Sequence, residues 1–382
     1  MKVGITIDMS VSFFSKGVNQ NALYLYMLYK EMGHSVILIS GNNNEIGLLD
    51  LKLMNIDSFN IKPYSIARND RFDLIISLGI MLEKSMYTQF KSKNNNIKYV
   101  SYKCGNEFMM DTEMIIYGTE QKKSEEYYKL PAPQKPDAIW VIPQMENTNL
   151  EYLSFVYKQN NSTVVPFIWD PIIIESAANK IELDTWKPRS SKRIAVMEPN
   201  ISIMKNLLHP IVSVDKYIKG GNSIDNLYLF ASAHLSTNKR LLTLLKNSNS
   251  SLLKKIIALK REPTPIALKN NADVILSWQI ENNLNYLYFD VAWLGWPIVH
   301  NAKICKDIGY YYENQLASQA SIQIDNAFKN HNIEWKNEQR SKIKRFTIEN
   351  KQLIEDYRKL TKDVMSNNFN KYTYVNASNS IK

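Results

Sequence analysis

Short apolar runs alternate with longer amphipathic stretches along most of the chain. Val3–Ile7, Ser35–Ser40, Asp73–Ser77, Lys98–Tyr102 and Ala138–Ile142 read as buried strands, each running into a polar or glycine-containing loop. Between the first two, Val18, Ala22, Leu25, Tyr29 and Met32 recur at helical spacing, and Gly33 ends the pattern. Strand, helix and strand in that order predict a right-handed parallel crossover, with ligands at the carboxyl ends of the strands. A second series starts at Arg193, with strands Ile194–Met197, Leu227–Ala231, Val274–Leu276 and Ile298–His300 and helices Ser202–Ile218 and Asn238–Leu245. Val164–Pro171, with two prolines, and the basic Trp186–Arg193 read as the connection between the two. The expected fold class is α/β, with two facing Rossmann-like domains and a cleft between them. The expected boundaries are 1–168 for the first domain, 169–192 for a linker and 193–333 for the second domain. A C-terminal helix is expected over 334–366, burying Ile343, Phe346, Ile348, Leu353 and Tyr357, and then a polar tail, 367–382, that frays.

Composition narrows this picture only at its edges. The 382 residues are 45% hydrophobic and 22% charged, ordinary globular usage and enough chain for two domains. The formal net charge of +10 favours a polyanionic partner, such as nucleic acid, an anionic surface or a phosphorylated substrate. Basic residues cluster at Lys336, Arg340, Lys342, Lys344 and Arg345, where a phosphate-tracking surface and a solvated helix face give the same pattern. The two cysteines, Cys104 and Cys305, lack the spacing of a zinc site. The first residues form a strand rather than a signal peptide, and no apolar run reaches the ~20 residues of a membrane span. A soluble, cytoplasmic protein with no membrane partner is expected.

Candidate chemistry gathers at the predicted strand ends. The longest such stretch is Ser277–Asn301, where Glu281, Asn282, Asn283 and Asn285 precede a helix carrying Leu284, Leu287, Val291 and Leu294, with Asp290 about two turns beyond Glu281. A helix start offers unpaired N–H groups and the positive end of the dipole to a phosphate, and a nearby carboxylate can take sugar hydroxyls. A plain amphipathic helix with a Glu/Asn cap gives the same sequence. After the second series' first strand comes Glu198-Pro199-Asn200-Ile201-Ser202-Ile203-Met204-Lys205, a loop and helix start with a lysine able to neutralise charge on a leaving nucleotide. His234 follows the next strand at the same sheet edge. In the first series, Asp8 ends the opening strand, and Glu107 lies in the loop after Lys98–Tyr102, as a general base or an ordinary loop acid. Only Gly17 stands where a G-x-G-x-x-G fingerprint would need three glycines, which disfavours a dinucleotide site.

The runs Phe14–Asn21, Val165–Pro171, Glu198–Lys205, Glu281–Asn301 and Asp307–Tyr312 resemble a family of phage and bacterial proteins long catalogued as a domain of unknown function and similar to GT-B glycosyltransferases. The resemblance extends to phage enzymes that glycosylate 5-hydroxymethylcytosine in DNA, including arabinosyltransferases of T4-like phages. It implies that the second domain binds a nucleotide-sugar and the first an acceptor. Glu198, Asn200, Ser202, Lys205, Glu281, Asn282 and Asn285 then fall on the donor side, and Lys16, Gly17, Asn19, Gln20 and Asn21, beside Asp8, on the acceptor side. An inverting enzyme would take its base from Asp8 or Glu107. No D-x-D motif is present, so no metal and no tightly bound cofactor are expected, with the helix dipole and Lys205 in the metal's place. The resulting expectation is a UDP-sugar-dependent transferase acting on hydroxymethylcytosine in double-stranded DNA. A polysaccharide or protein acceptor, or a non-catalytic nucleotide- or DNA-binding role, remains open.

Overall fold

The computed structural model describes residues 1–369, apart from 15, 42–43, 55, 57–58, 118–134 and 314. It resolves into two compact units, one made of residues 1–170 and 345–382, the other of residues 171–344. The expected tail falls mostly outside the described residues, which end at Phe369.

Unit 1 is built on seven parallel strands: β1 (Lys2–Ile7), β2 (Ser35–Ser40), β3 (Ile61–Pro63), β4 (Leu74–Ser77), β5 (Lys98–Lys103), β6 (Ala138–Val141) and β7 (Ser162–Val164), in the order β3-β2-β1-β4-β5-β6-β7. The central strands are apolar on both faces, as a sheet covered on both sides requires; Val3, Ile5, Ile7, Leu74, Ile75 and Ile76 have no exposed surface. Strand order reverses between β1 and β4, so the loops after these two strands flank the place where an open parallel sheet binds its ligand.

The chain's last described helix, Lys351–Ser366, belongs to unit 1. Its buried stripe of Leu353, Tyr357, Leu360 and Val364 follows helical periodicity. Tyr357 donates to the Pro166 carbonyl (2.8 Å) and sets its ring edge-on to Trp140, and Thr361 meets the Tyr29 hydroxyl at 2.7 Å. The single helix expected over 334–366 is two, Trp335–Ile343 and Lys351–Ser366, separated by a tight turn at Lys344–Phe346 and lying in different units. The Asn350 side chain caps the second through Gln352 N–H and also bonds the Arg345 carbonyl, which stops the first helix from running on. Phe346 and Ile348, expected on the buried face, are only partly covered because they lie in this break.

Unit 2 has six parallel strands: β8 (Arg193–Val196), β9 (Asn226–Leu229), β10 (Ile256–Ala258), β11 (Val274–Leu276), β12 (Ile298–His300) and β13 (Tyr310–Tyr311), in the order β10-β9-β8-β11-β12-β13. Here the order reverses between β8 and β11. The segment expected as a linker contains the helix Ile172–Lys180, whose Glu175 accepts from Trp293 Nε1 at 2.7 Å and pairs with Arg340. Strands β3, β7, β10 and β13 have no counterpart in the sequence reading; each is two or three residues long, too short for a periodicity to show. Among the described residues no helix is long and apolar enough to cross a membrane.

Candidate active site

The loops after β8 and β11 meet at the switch point of unit 2. Ile280 N–H donates to the Met204 carbonyl (2.9 Å), joining one loop to the other. Gln279 and Asn301 exchange two bonds, Gln279 N–H to Asn301 Oδ1 (3.0 Å) and Asn301 Nδ2 to the Gln279 carbonyl (2.7 Å), which pins the β11 loop to the end of β12. Three non-glycine residues on this rim stand in the left-handed region: Asn200 (φ 54°), Ala231 (φ 50°) and Glu281 (φ 48°). Asparagine tolerates that conformation, but alanine and glutamate hold it at a cost that surrounding contacts must offset, and such residues cluster at functional sites. Asn200 supplies part of the support, its Nδ2 donating to the Glu198 carbonyl at 2.8 Å and lying near those of Phe230 and Ala231.

Two local expectations change. The helix expected from Ser202 begins at Leu208. Ser202 Oγ accepts from Met204 N–H, Asn206 Oδ1 accepts from Leu208 N–H, and Ser202 and Lys205 pair across a tight turn. These side-chain bonds give the backbone an alternative to the helix, so Lys205 lies on a loop rather than in a first turn. The helix after Glu281 likewise begins later, at Tyr286, with Asn285 as its N-cap accepting from Leu287 N–H. Glu281 and Asn282 belong to the preceding loop, and Leu284 is buried before the helix starts. Gly295 ends the helix at φ 92°, a conformation that suits glycine at a helix C-terminus.

Charge and unpaired polarity concentrate here. Glu198 has no exposed surface; the Ser277 hydroxyl donates to its Oε1, while its Oε2 has no hydrogen-bond partner. Burial raises the Glu198 pKa, and Lys205, the Ser277 hydroxyl, the Trp278 N–H and the nearby Gln279 amide act against it. Burial depresses the Lys205 ammonium, the Glu198 charge pushes it back up, and Arg261 on the loop after β10 lowers it further. Asn200 Oδ1, Trp278 Nε1, Gln279 Nε2 and Glu262 Oε2 are also buried without a hydrogen-bond partner. Buried polar groups are rarely left so. Here donors (indole N–H, amide NH₂, ammonium) stand beside acceptors, a set suited to a phosphate with hydroxyls attached. Asp290 is buried on the helix, and His234 is exposed in a turn after β9 on the same rim.

Unit 1 presents a different edge at its own switch point. Asp8 Oδ2 pairs with Lys16 Nζ at 2.7 Å, and Oδ1 accepts from the backbone N–H and hydroxyl of Ser10. Asn19, fully buried, exchanges two bonds with the Asp8 backbone. Gly79 lets the β4 loop come this close, since a Cβ there would lie 2.7 Å from Asp8 N. Burial pushes the Asp8 pKa up, but Lys16 and Ser10 outweigh it and hold the carboxyl below its ordinary value. Gln20 and Asn21 are buried under the loop, Gln20 donating to the Phe13 carbonyl, while Lys16 and Gly17 face outward. Glu107 is the first residue of the helix Glu107–Tyr117 rather than a loop residue, and it pairs with Lys103 at 2.7 Å. Lys103 also donates to the Tyr157 hydroxyl at 2.6 Å. Asp8 and Glu107 thus sit after different strands, β1 and β5.

Ser277, Trp278, Gln279 and Arg261 did not emerge from the sequence as site residues. For the first three a signal exists: S-W-Q follows directly on the apolar run Val274–Leu276. Arg261 had none, because the strand that positions it is three residues long.

Known proteins agree with this architecture. A family model described as "Protein of unknown function (DUF2827)" matches residues 3–361. No curated protein matches the sequence. Among solved structures, a glycosyltransferase from Rickettsia africae ESF-5 is similar at TM-score 0.51 and 14% identity, covering 96% of this chain and 99% of that one. An α-glucosyltransferase in complex with UDP-glucose and DNA containing an abasic site is similar at TM-score 0.55 and 12% identity, covering 96% and 99%. S. aureus TarM, solved as a mutant with α-GlcNAc-glycerol and UDP, is similar at TM-score 0.56 and 10% identity, covering 94% and 99%. At these identities the likeness shows the fold, the two Rossmann-like domains of GT-B glycosyltransferases.

Proposed function

This chain belongs to the DUF2827 family, and we propose that it is a glycosyltransferase that takes its sugar from a nucleotide-sugar, UDP-linked, held by unit 2. One observation carries the reading: partnerless buried polar atoms gather around Lys205 at the point where the strand order of unit 2 reverses. Lys205 and Arg261 would face the diphosphate and stabilise the charge that grows on it as the glycosidic bond breaks. The Trp278 indole and Gln279 amide would donate to phosphate or sugar oxygens. Glu281 and Asn282, on the same loop as these donors, would take sugar hydroxyls. With cationic side chains and a helix start in place, the chemistry asks for no metal.

The acceptor is proposed to be the hydroxymethyl group of 5-hydroxymethylcytosine in duplex DNA, with arabinose or glucose as the sugar. The sequence resemblance to phage DNA glycosyltransferases and the net charge of +10, which lies mainly in unit 2, support it. The target base would leave the stack to be modified. For an inverting transfer Asp8 is the base rather than Glu107, because it lies at the switch point of unit 1 whereas Glu107 is held by a lysine one strand further on. Incubation of hydroxymethylcytosine DNA with the protein and a panel of UDP-sugars, followed by nucleoside mass spectrometry, tests donor and acceptor together. A glycosylated nucleoside is the expected product. UDP-sugar turnover with unchanged nucleosides would move the acceptor to a second reading, a glycan or polyol, favoured by the likeness to TarM, which was solved with a glycerol glycoside.

A further inference from the structure

We propose that Glu198 is a positioning residue that never touches the donor: it holds Lys205 from below and, through Ser277 and Tyr288, ties the lysine loop to the Tyr286–Leu294 helix. The inference rests on the donor reading of this site, and it assigns to Glu198 a role distinct from donor contact. With no exposed surface, its carboxylate lies beneath any ligand. The Ser277 hydroxyl donates to it, and Ser277 Oγ lies 3.1 Å from the Tyr288 hydroxyl, which the first turn of the helix supplies. Tyr312 closes the group by donating to the Ser277 carbonyl at 3.0 Å. Tyr288 stacks on His300 with ring centroids 4.7 Å apart. His300 is fixed in turn, its Nε2–H donating to the Ile308 carbonyl (2.5 Å) and its Nδ1 accepting from Ala302 N–H (3.1 Å). Ser277, Tyr288 and His300 are, like Glu198, fully buried. The ends of β8, β11 and β12 and the helix are therefore joined by one chain of contacts under the rim.

A solitary buried carboxylate with one oxygen unbonded is costly, and the cost falls if an ammonium stands nearby. The charged or titratable groups that act on Glu198 and Lys205 are few: each other, Arg261, and the neutral Tyr288 and Tyr312, with Cys305 beside Tyr288. Of these only Glu198 favours a charged Lys205. Without it, desolvation and Arg261 would both drive the lysine toward its neutral amine, which cannot grip a diphosphate.

The test is Glu198→Gln, which keeps the shape and an oxygen for Ser277 but removes the charge. In the full chain, competitive acylation of Lys205 followed by peptide mass spectrometry reads the pH at which its amine becomes reactive. That midpoint is expected to fall by about one pH unit or more. The alkaline limb of UDP binding is expected to move down with it, and Glu198→Gln on a Lys205→Ala background to add less than about twofold. An unmoved midpoint in a folded Glu198→Gln protein, or fully additive losses in the double variant, would overturn the proposal. If Glu198→Gln does not fold, Lys205→Met reads the pair from the other side. Glu198 then loses its counter-charge, its folded pKa rises further above the unfolded one, and stability is lost as pH climbs from the unfolded value through the folded one. The Tm gap to wild type should widen between about pH 5 and pH 8; parallel curves would overturn the pairing. Absence of UDP binding by the wild-type protein, with the acylation shift intact, would tell against the donor reading and leave the pairing supported.

Discussion

The two switch points solve the same topological situation with opposite electrostatics. In unit 1 the polar loop groups pair with one another: Asp8 with Lys16 and Ser10, Asn19 with the Asp8 backbone, Glu107 with Lys103. In unit 2 Glu198 Oε2, Asn200, Trp278, Gln279 and Glu262 keep buried atoms without partners, and three non-glycine residues hold left-handed conformations. A set that satisfies itself is stable without a ligand. One that does not gains most when a ligand arrives, because the desolvation cost is already met in the empty protein. Unit 2 is thus shaped to bind tightly, whereas unit 1 offers pre-oriented groups to a partner held elsewhere.

The largest expected effect tests the second half of that contrast. Asp8→Asn should lower kcat by roughly 10²–10⁴-fold, the usual contribution of a general base, while the UDP Kd measured by calorimetry stays at the wild-type value. A matching loss of UDP affinity would place Asp8 on the donor side and erase the contrast. Next, Lys205→Ala should weaken UDP binding about 10–100-fold, the worth of a charge-assisted bond or two, in the same assay. Smaller effects concern stability. Lys103→Ala strands Glu107 and removes the Tyr157 contact, and should cost about 2 kcal/mol by denaturant unfolding, since Glu107 keeps part of its hydration. Tyr29→Phe removes the buried bond to Thr361 and should cost about 1 kcal/mol, with faster amide exchange in the last helix as its signature.

The smallest effect is a pH dependence. Burial raises the Asp70 pKa, but hydrogen bonds and charge from Lys2 and Lys62 outweigh it, leaving the folded pKa below its ordinary value of 3.8. A depressed carboxylate contributes stability that is present above the unfolded pKa and lost as pH falls through the folded one. Asp70→Asn should therefore cost about 1 kcal/mol at neutral pH, and the gap in urea midpoints should close on acidification below about pH 4. A gap that persists at about pH 2 would mean that geometry, not charge, makes the contribution.

Much of the fold was legible because parallel strands buried on both faces must be continuous apolar runs, and nine of them stood out as such. Edge strands such as β3 and β13 were not, since two or three residues carry no period. The stretches at the rim were legible as polar sequence after a strand, as at Glu198–Lys205 and Ser277–Asn285. Their local form was misread, because Ser202 and Asn206 side chains compete for backbone bonds that a helix start would otherwise leave to solvent.

The order of apolar and polar residues was therefore enough to set the alternating architecture and the loops in which chemistry had to lie, since periodicity and turn residues are local properties. Which residues within those loops face a ligand was settled only in three dimensions. Glu198 and Lys205 lie within one loop, yet one is sealed under the rim and the other partly exposed on it. Ser277, Tyr288 and His300 became partners through strand order, and contact between distant segments leaves no trace in local sequence. The last helix shows the same limit: its amphipathic stripe foretold that it would be buried, and only the positions of Tyr29, Trp140 and Pro166 settled that unit 1 would bury it.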